Sequence, residues 1–359
     1  MKTKIRSLDK IPIKSLYYSF LIAFSDYEIK VKLNYKSFKT LLKIRDVNLS
    51  LSYGLFINEK LNYGYISYFN DHLSILLEKK IKLNTSQIKK IPISFILCGY
   101  RKNFSILIEE KENKKLVFKN AVYDSGTATI PEFRNKGYSK ILLKYSIEKF
   151  KEKKIDGFIL EVLENNEKAK NLYISAGFSI SRKFYCYKGL KETIKNTIEN
   201  KVNEFNKEIL KEQDKEFLFK DLINEISFKN LSLKKLNQEY KKFKDLFDTI
   251  SWQNSIQSVI NIYNQVKITG LYINDKLAAL GCIEERIGDI KFLIIVDDYY
   301  KNDKIKFLLQ MLLLSKLIND INNKNISFLN IDNNSQLKEF LDKMEFNNFI
   351  NQFEMYLKF

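Results

Sequence analysis

The sequence predicts an α/β protein made of two consecutive domains on one plan, and three observations carry that prediction. The chain has 359 residues, more than one ordinary core fills and enough for two of about 150 to 200 residues each. An apolar run leading into a polar turn, GLFINEKL at 54–61, returns as GLYINDKL at 270–277. Strand, Asn-rich turn and helix also follow one another twice, as LEVLENNEKAKNLYISAGF at 160–178 and as FLNIDNNSQLKEFLDKMEF at 328–346.

From the N-terminus, MKTKIRSLDK is basic, and the apolar residues after it are broken by Ser15, Tyr17, Tyr18 and Ser19. No small-residue cleavage site follows and no apolar stretch reaches 18 residues, so the expectation is an amphipathic first helix in a cytoplasmic protein off the membrane. Lys60 and Arg134 are 74 residues apart, whereas the matching Lys276 and Lys301 are 25 apart. The first copy therefore carries an insertion, placed at about 68–118. Inside it Ile91 to Tyr100 competes with Leu61 to Phe69 for the role of third strand. Ile194, Ile198, Val202, Phe205 and Ile209 recur at helical spacing in a charged segment, which predicts a linking helix. The expected boundaries are 1–190 for the first domain, 191–230 for a linker and 231–359 for the second domain.

Composition narrows the function. The net charge is +18, yet only six of the 61 cations are Arg. Bidentate readout of phosphates and bases favours Arg, so the basic balance reads as a Lys-rich solvated surface and no nucleic-acid partner is expected. Cys98, Cys186 and Cys282 lie on three separate strand-like segments, which leaves neither a disulfide framework nor a cysteine knuckle. His72 is the only histidine and is read in a polar loop, so neither a Ser-His-Asp triad nor a histidine metal site is expected. No phosphate-binding P-loop occurs.

The chemistry concentrates at 120–153. Asn120 to Ile130 reads as a strand, Pro131 stops it, and Leu143, Ile147 and Phe150 then recur at helical spacing. The turn between them holds Arg134, Asn135, Lys136, Gly137, Tyr138, Ser139 and Lys140. Backbone N–H groups and the positive end of a helix dipole converge there, with Gly137 allowing close approach, which is the make-up of a diphosphate cradle.

Pro131, Arg134, Gly137 and Ser139 at the spacing P-x-x-R-x-x-G-x-S resemble the acetyl-coenzyme A motif of the GNAT superfamily of N-acetyltransferases, with Ser139 in place of the final Gly or Ala. Asn166, Ala169, Leu172, Tyr173, Gly177 and Phe178 are similar to its N-x-x-A-x-x-L-Y-x-x-x-G-F helix. The runs AFSDY at 23–27, SWQNS at 251–255 and QFEMYL at 352–357 look like those of tandem bacterial members. The resemblance implies a mixed sheet flanked by helices in each domain, with the fourth and fifth strands splayed around the pantetheine arm. It implies hydrogen bonds to backbone near Thr129 and Ile130, contact with Asn166, and Tyr173 beside the thioester sulfur as the acid for the leaving thiolate. Asp124 and Glu161 are the nearest carboxylates for a general base. The implied partners are acetyl-coenzyme A as co-substrate and an amine acceptor, without a metal; a homodimer is left open.

The second copy reads as degenerate. Arg134 becomes Lys301, Gly137 becomes Lys304, Ser139 becomes Lys306, Tyr173 becomes Leu341 and Gly177 becomes Glu345. The expectation is one working site in the first domain, with the second completing an acceptor cleft or an interface. The alternative is a non-catalytic coenzyme A-binding or scaffold protein of the same fold.

Overall fold

The computed structural model describes residues 2–27, 33–109, 114–210, 224–247, 250–296, 302–319 and 321–359. The first half runs β1 (Thr3–Ser7), α1 (Ile13–Ala23), α2 (Tyr35–Ile44), β2 (Tyr53–Ile57), α3 (Tyr63–Leu76), α4 (Thr85–Ile88), β3 (Ser94–Ile108), β4 (Lys114–Thr129), α5 (Tyr138–Glu152), β5 (Gly157–Leu163), α6 (Glu167–Ser175) and β6 (Ser179–Leu190). The second half runs α7 (Lys191–Leu210), β7 (Ile226–Asn230), α8 (Leu233–Lys242), α9 (Lys244–Phe247), α10 (Ile256–Asn261), β8 (Val266–Ile273), β9 (Lys276–Glu284), β10 (Asp289–Ile295), α11 (Asp303–Asn319), β11 (Asn325–Asp332), α12 (Gln336–Lys343) and β12 (Asn347–Lys358).

All twelve strands join one sheet in the order β1-β2-β3-β4-β5-β12-β6-β11-β10-β9-β8-β7. Pairing is antiparallel except between β4 and β5 and between β10 and β11, so the sheet is mixed. The last strand of each half has crossed over. β12 pairs with β5 of the first half, and β6 pairs with β11 of the second, while β6 and β12 pair with each other at the centre. An unpaired strand edge exposes a row of backbone donors and acceptors, and this exchange removes both such edges at once. The sequence boundary at residue 190 is therefore not a boundary in the sheet.

The join holds a buried ion cluster. Glu354 on β12 lies opposite Glu161 of β5 on one side and Arg182 of β6 on the other. Arg182 Nε donates to Glu354 at 2.9 Å and Nη1 to Asp332 at 2.8 Å, and the Ser181 hydroxyl donates to Glu354 at 2.7 Å. Both side chains of the Arg182–Glu354 pair are at most 1% exposed. Satisfied in this way, the cluster ties three strands from two halves together; with one partner removed, it would leave a buried charge uncompensated.

Several expectations change against this frame. Ile91 to Tyr100 holds the third strand, β3, and Leu61 to Phe69 runs into α3. The extra residues of the first copy lie mainly between the end of β2 at Ile57 and the start of β3 at Ser94, where the second copy needs only a tight turn from Ile273 to Lys276. They form α3 and α4, so the placement at 68–118 is displaced toward the N-terminus; 110–113 lie outside the described residues. α1 is buried on all sides from Ser15 to Ala23 because α2 and α3 cover it, and it is not amphipathic. His72 sits in α3, its Nδ1 at 2.9 Å from the Tyr68 carbonyl oxygen. α7 buries Ile194 and Ile198 against the second half's core, with Val202 and Phe205 packed beside them. The Ile209 side chain lies outside the described residues, as do 211–223 of the expected linker. No described helix is long and apolar enough to cross a membrane.

Parallel pairing places the functional gap. β4 and β5 pair only from Ala121–Gly157 to Asp124–Leu160 and then part, while β4 runs on to Thr129 and β5 to Leu163. A register shift against β3 falls at Ser125, where a bulge turns β4 away. β10 and β11 separate sooner, after Ile290–Phe328, with a register shift between Ile290 and Phe292.

Candidate active site

The mouth of the first gap is the start of α5. Pro131 to Phe133 form one 3-10 turn, Asn135 takes φ 61°, and Gly137 takes φ 72° at the position that begins the helix. A left-handed residue here strains any side chain but costs glycine nothing. No side chain caps α5, so the N–H groups of its first turn keep their donors and the positive end of the helix dipole faces outward. A Cβ built on Gly137 meets no atom within 4 Å, which leaves the concavity open to an anion. The cradle residues therefore fit a diphosphate.

The predicted contacts sort into two groups around this cradle. Asn135, Lys136, Gly137 and Lys140 are exposed and Tyr138 and Ser139 partly so. Lys168 on α6 donates to Asn135 at 2.8 Å, bringing a further cation to the loop. Ser139 departs from the small apolar residue of the motif for a visible reason: its hydroxyl lies 2.8 Å from that of Thr129, which in turn lies 2.8 Å from the Ser94 hydroxyl. That chain fastens the helix start to the end of β4. Ile130 is turned away from the gap, its side chain fully buried and its N–H donating to the Ile93 carbonyl on the β3 side. Asn166 also serves structure, its side-chain oxygen accepting from the Ala169 N–H as the N-cap of α6.

Arg134 points its fork inward. Nε donates to the Thr129 carbonyl at 3.0 Å and Nη2 to the Ala23 carbonyl at 2.9 Å, while both terminal nitrogens reach the Asp26 carboxylate at 2.6 and 2.8 Å. The Arg134 hydrogen bonds hold Asp26 below its ordinary range. The guanidinium is thus a strut between the cradle and the segment after α1, and the groups the cradle leaves without a side-chain partner are the backbone N–H groups that begin α5. Asp26 belongs to AFSDY, a run that carried no assigned role.

At the other end of the gap, Tyr173 of α6 is buried and its hydroxyl donates to Asp124 Oδ2 at 3.0 Å. Burial, then the Asp124 carboxylate, pushes the phenol well above its usual range. Asp124 also accepts from the Gly126 N–H at 2.9 Å and from the Thr127 hydroxyl at 2.6 Å. Burial raises its carboxyl against the lowering effect of these bonds. Glu161 is the first residue of β5 past the parting. Its Oε2 accepts from the Tyr123 hydroxyl at 2.9 Å and from the Gln253 amide, and burial raises its carboxyl as well. The structure thus joins Tyr173 to Asp124 at the splay, while Glu161 stands beside the same parting on the opposite face of the sheet, with Tyr123 and Gln253. Gln253, which sequence reasoning missed, comes from SWQNS; nothing in its spacing placed it against β4 and β5.

In the second half, the start of α11 is closed. The helix begins at Asp303, so Asn302, two places before the Lys304 that sequence spacing matches to Gly137, holds the position before the helix, and its side chain accepts from the Lys304 N–H at 2.9 Å. Lys304 and Lys306 are described; Lys301, the counterpart of Arg134, lies outside the described residues. Leu341 stands fully buried where Tyr173 stands in the first half.

Residues 95–178, from β3 through α6, match the model of the acetyltransferase (GNAT) family. No curated protein matches the sequence significantly. Among solved structures, the chain is similar to a tandem GNAT protein from the clavulanic acid biosynthesis pathway, at 8% identity and a TM-score of 0.56 over 99% of this chain and 98% of that one. It is likewise similar to a GCN5-related N-acetyltransferase from Sphaerobacter thermophilus, at 8% identity and 0.56 over 99% and 95%. A third similar structure, a GCN5-related N-acetyltransferase from Anabaena variabilis, gives 9% and 0.54 over 99% and 72%. At these identities the likeness is one of fold, and the first of them shares the tandem layout.

Proposed function

Residues 95–178 carry a domain of the acetyltransferase (GNAT) family, and from that premise we propose that the chain is an acetyl-coenzyme A-dependent N-acetyltransferase acting on a primary amine, with one site in its first half. The observation that carries this reading is the uncapped, glycine-led start of α5 set against the parted strands β4 and β5, with a buried tyrosine at the far end. These supply what the reaction asks for: an anion cradle, a slot for a slender arm and a proton donor.

When bound, acetyl-coenzyme A supplies an electrophilic thioester carbonyl. The N–H groups at the start of α5, with Lys136, Lys140 and Lys168 around them, hold the diphosphate. β4 offers backbone along the slot: with the Ile130 N–H committed to β3, strand alternation turns the N–H of Thr129 to the gap. Glu161 takes the proton that the amine loses, directly or through one water; among the described residues no donor reaches its Oε1. Tyr173 gives its proton to the departing sulfur. Asp124 fixes the phenol's orientation, and after the thiol departs the phenolate takes a proton back from solvent while Glu161 releases to solvent the one it received, which closes the balance.

Two measurements test the proposal. Calorimetry should show acetyl-coenzyme A binding to the wild-type protein and loss of it in Arg134→Glu/Gly137→Glu; unchanged binding in that variant counts decisively against the cradle. Thiol release from acetyl-coenzyme A against a panel of amines should identify at least one acceptor that turns over, and silence across polyamines, amino acids, peptides and aminoglycosides removes the enzymatic reading.

A further inference from the structure

We propose that the second half completes the first half's site by supplying Gln253, which positions Glu161 as the proton acceptor. This rests on the reading of the splay as the acetyl-transfer site, but the contacts that carry it stand independently.

The turn that delivers Gln253 is rigid. Trp252, fully buried, stacks on Tyr123 with ring centres 5.0 Å apart and planes 8° from parallel, and packs on Phe104 at 4.6 Å. Its indole N–H donates to the Arg45 carbonyl at 3.1 Å. The Arg101 guanidinium lies 4.2 Å above its ring, and Nη1 donates to the Trp252 carbonyl at 2.8 Å. Asn254, on the other side, donates to the Leu329 carbonyl at 2.6 Å. Both neighbours of Gln253 are therefore fixed, one by the first half and one by the second.

The orientation of the Gln253 amide follows from its partners. Arg45 Nη2 reaches Oε1 at 2.7 Å, and a guanidinium can only donate, so the oxygen must face Arg45 and the NH2 must face Glu161 and Tyr123. Glu161 Oε2 thus receives two donors, a phenol from its own half and an amide from the other. With Oε2 held, Oε1 keeps its lone pairs for the substrate. The charged groups around Glu161 are Arg45, which favours its ionisation, and Glu354 on β12, which opposes it; the Cys186 thiol also lies within electrostatic reach. Gln253 adds a donor to this carboxylate without adding a charge, and relays Arg45 to it.

The test reads Glu161 itself, by 13C NMR of glutamate carboxyls in the full chain, with Glu161→Gln identifying the signal. Removing a hydrogen bond to an ionised group in Gln253→Leu should raise the Glu161 midpoint by about 1 to 2 pH units. Gln257→Leu, an exposed change on α10, should leave it alone. Gln253→Glu keeps the Arg45 partner and the side chain's size, and should raise the midpoint through like charge even where the Leu variant fails to fold. A folded Gln253 variant with the wild-type midpoint overturns the proposal. The measurement needs no coenzyme, so a shifted midpoint without any acetyl transfer would keep Gln253's role and reject the enzymatic reading. Where transfer is found, the acid limb of kcat should move upward with the midpoint while KM for acetyl-coenzyme A stays constant.

Discussion

α5 and α11 begin at the same point of two copies of one plan, and they begin differently. In the first half a left-handed Gly137 opens the helix with no side-chain cap. In the second, Asn302 caps the turn that carries Lys304. A capped N-terminus has its donors satisfied from within, and an uncapped one must find them in solvent or in a ligand. The two ends teach that one fold can carry either kind of helix start because strands and helices depend on pattern, whereas an anion cradle would depend on leaving a few backbone groups unmet.

The widest difference should lie between Tyr173 and Leu341. Tyr173→Phe keeps the ring packed on Phe178 but loses the proton and the bond to Asp124. Thiol release should fall by about 10²- to 10⁴-fold, the range for a positioned acid, with acetyl-coenzyme A affinity within a factor of a few. The reverse change, Leu341→Tyr, should add no second activity, because the α11 turn stays capped. Loss of affinity equal to the loss of rate in Tyr173→Phe would mean that the phenol serves binding. The rate should also rise with pH through a midpoint above the usual carboxylate range, since burial raises Glu161 and the base works ionised, and Glu161→Gln should remove that limb.

Next in size is the join, where the halves stop being comparable and become one object. Arg182→Leu strands Glu354 in a site 1% exposed. The expected cost is about 3–5 kcal/mol by denaturant titration, against less than about 1 kcal/mol for Lys183→Ala, whose partner Glu164 is 39% exposed. For the same reason residues 1–190 alone should show no cooperative melting, since β5 would lose β12 and β6 would lose both of its neighbours.

Much of this architecture was legible in sequence, and the limit has a physical character. The two copies, the strand–turn–helix around Gly137 and the α6 helix ending at Gly177 are local, so periodicity and turn residues expose them. Strand exchange is not local. The segment of β6 around Cys186 reads as strand-like, but nothing in its composition or in that of β12 says that each pairs with the other half. The same blindness hid Asp26, Gln253 and Glu354, which reach the site from AFSDY, SWQNS and QFEMYL. Those three runs are short and unrevealing by themselves: Asp26 meets Arg134 within the first half, Gln253 meets Glu161 from a turn of the second, and the crossed sheet sets Glu354 opposite Glu161. The spacing of Arg134 fits a cradle, but the direction of its side chain belongs to tertiary contacts with Asp26 and Ala23.

Gly137 separates binding from folding at a smaller scale. Gly137→Ala forces a left-handed alanine, worth about 1–2 kcal/mol, yet its methyl meets no protein atom. Stability should drop by that amount and acetyl-coenzyme A affinity by more, because the methyl occupies the space the anion needs. Equal losses would mean that the variant merely unfolds. Lys304→Gly should bring no binding to the second half.

The smallest expected effect comes from the helix ends rather than the starts. After α6, Gly177 takes φ 95° and the Phe178 N–H returns to the Tyr173 carbonyl at 3.1 Å; after α12, Glu345 takes φ 60° and the Phe346 N–H returns to the Leu341 carbonyl at 3.2 Å. The second half thus keeps a glycine turn without its glycine. Glu345→Gly relieves the left-handed strain and gives back part of the gain as chain entropy in the unfolded state, for a net stabilisation of about 0.5–1 kcal/mol. The melting temperature should rise by about 1–2 °C in a chain of this length, with acetyl-coenzyme A binding untouched. A destabilised Glu345→Gly would show that the Glu345 side chain holds this turn by contacts stronger than its backbone strain, and the two helix ends would then owe their shared geometry to different causes.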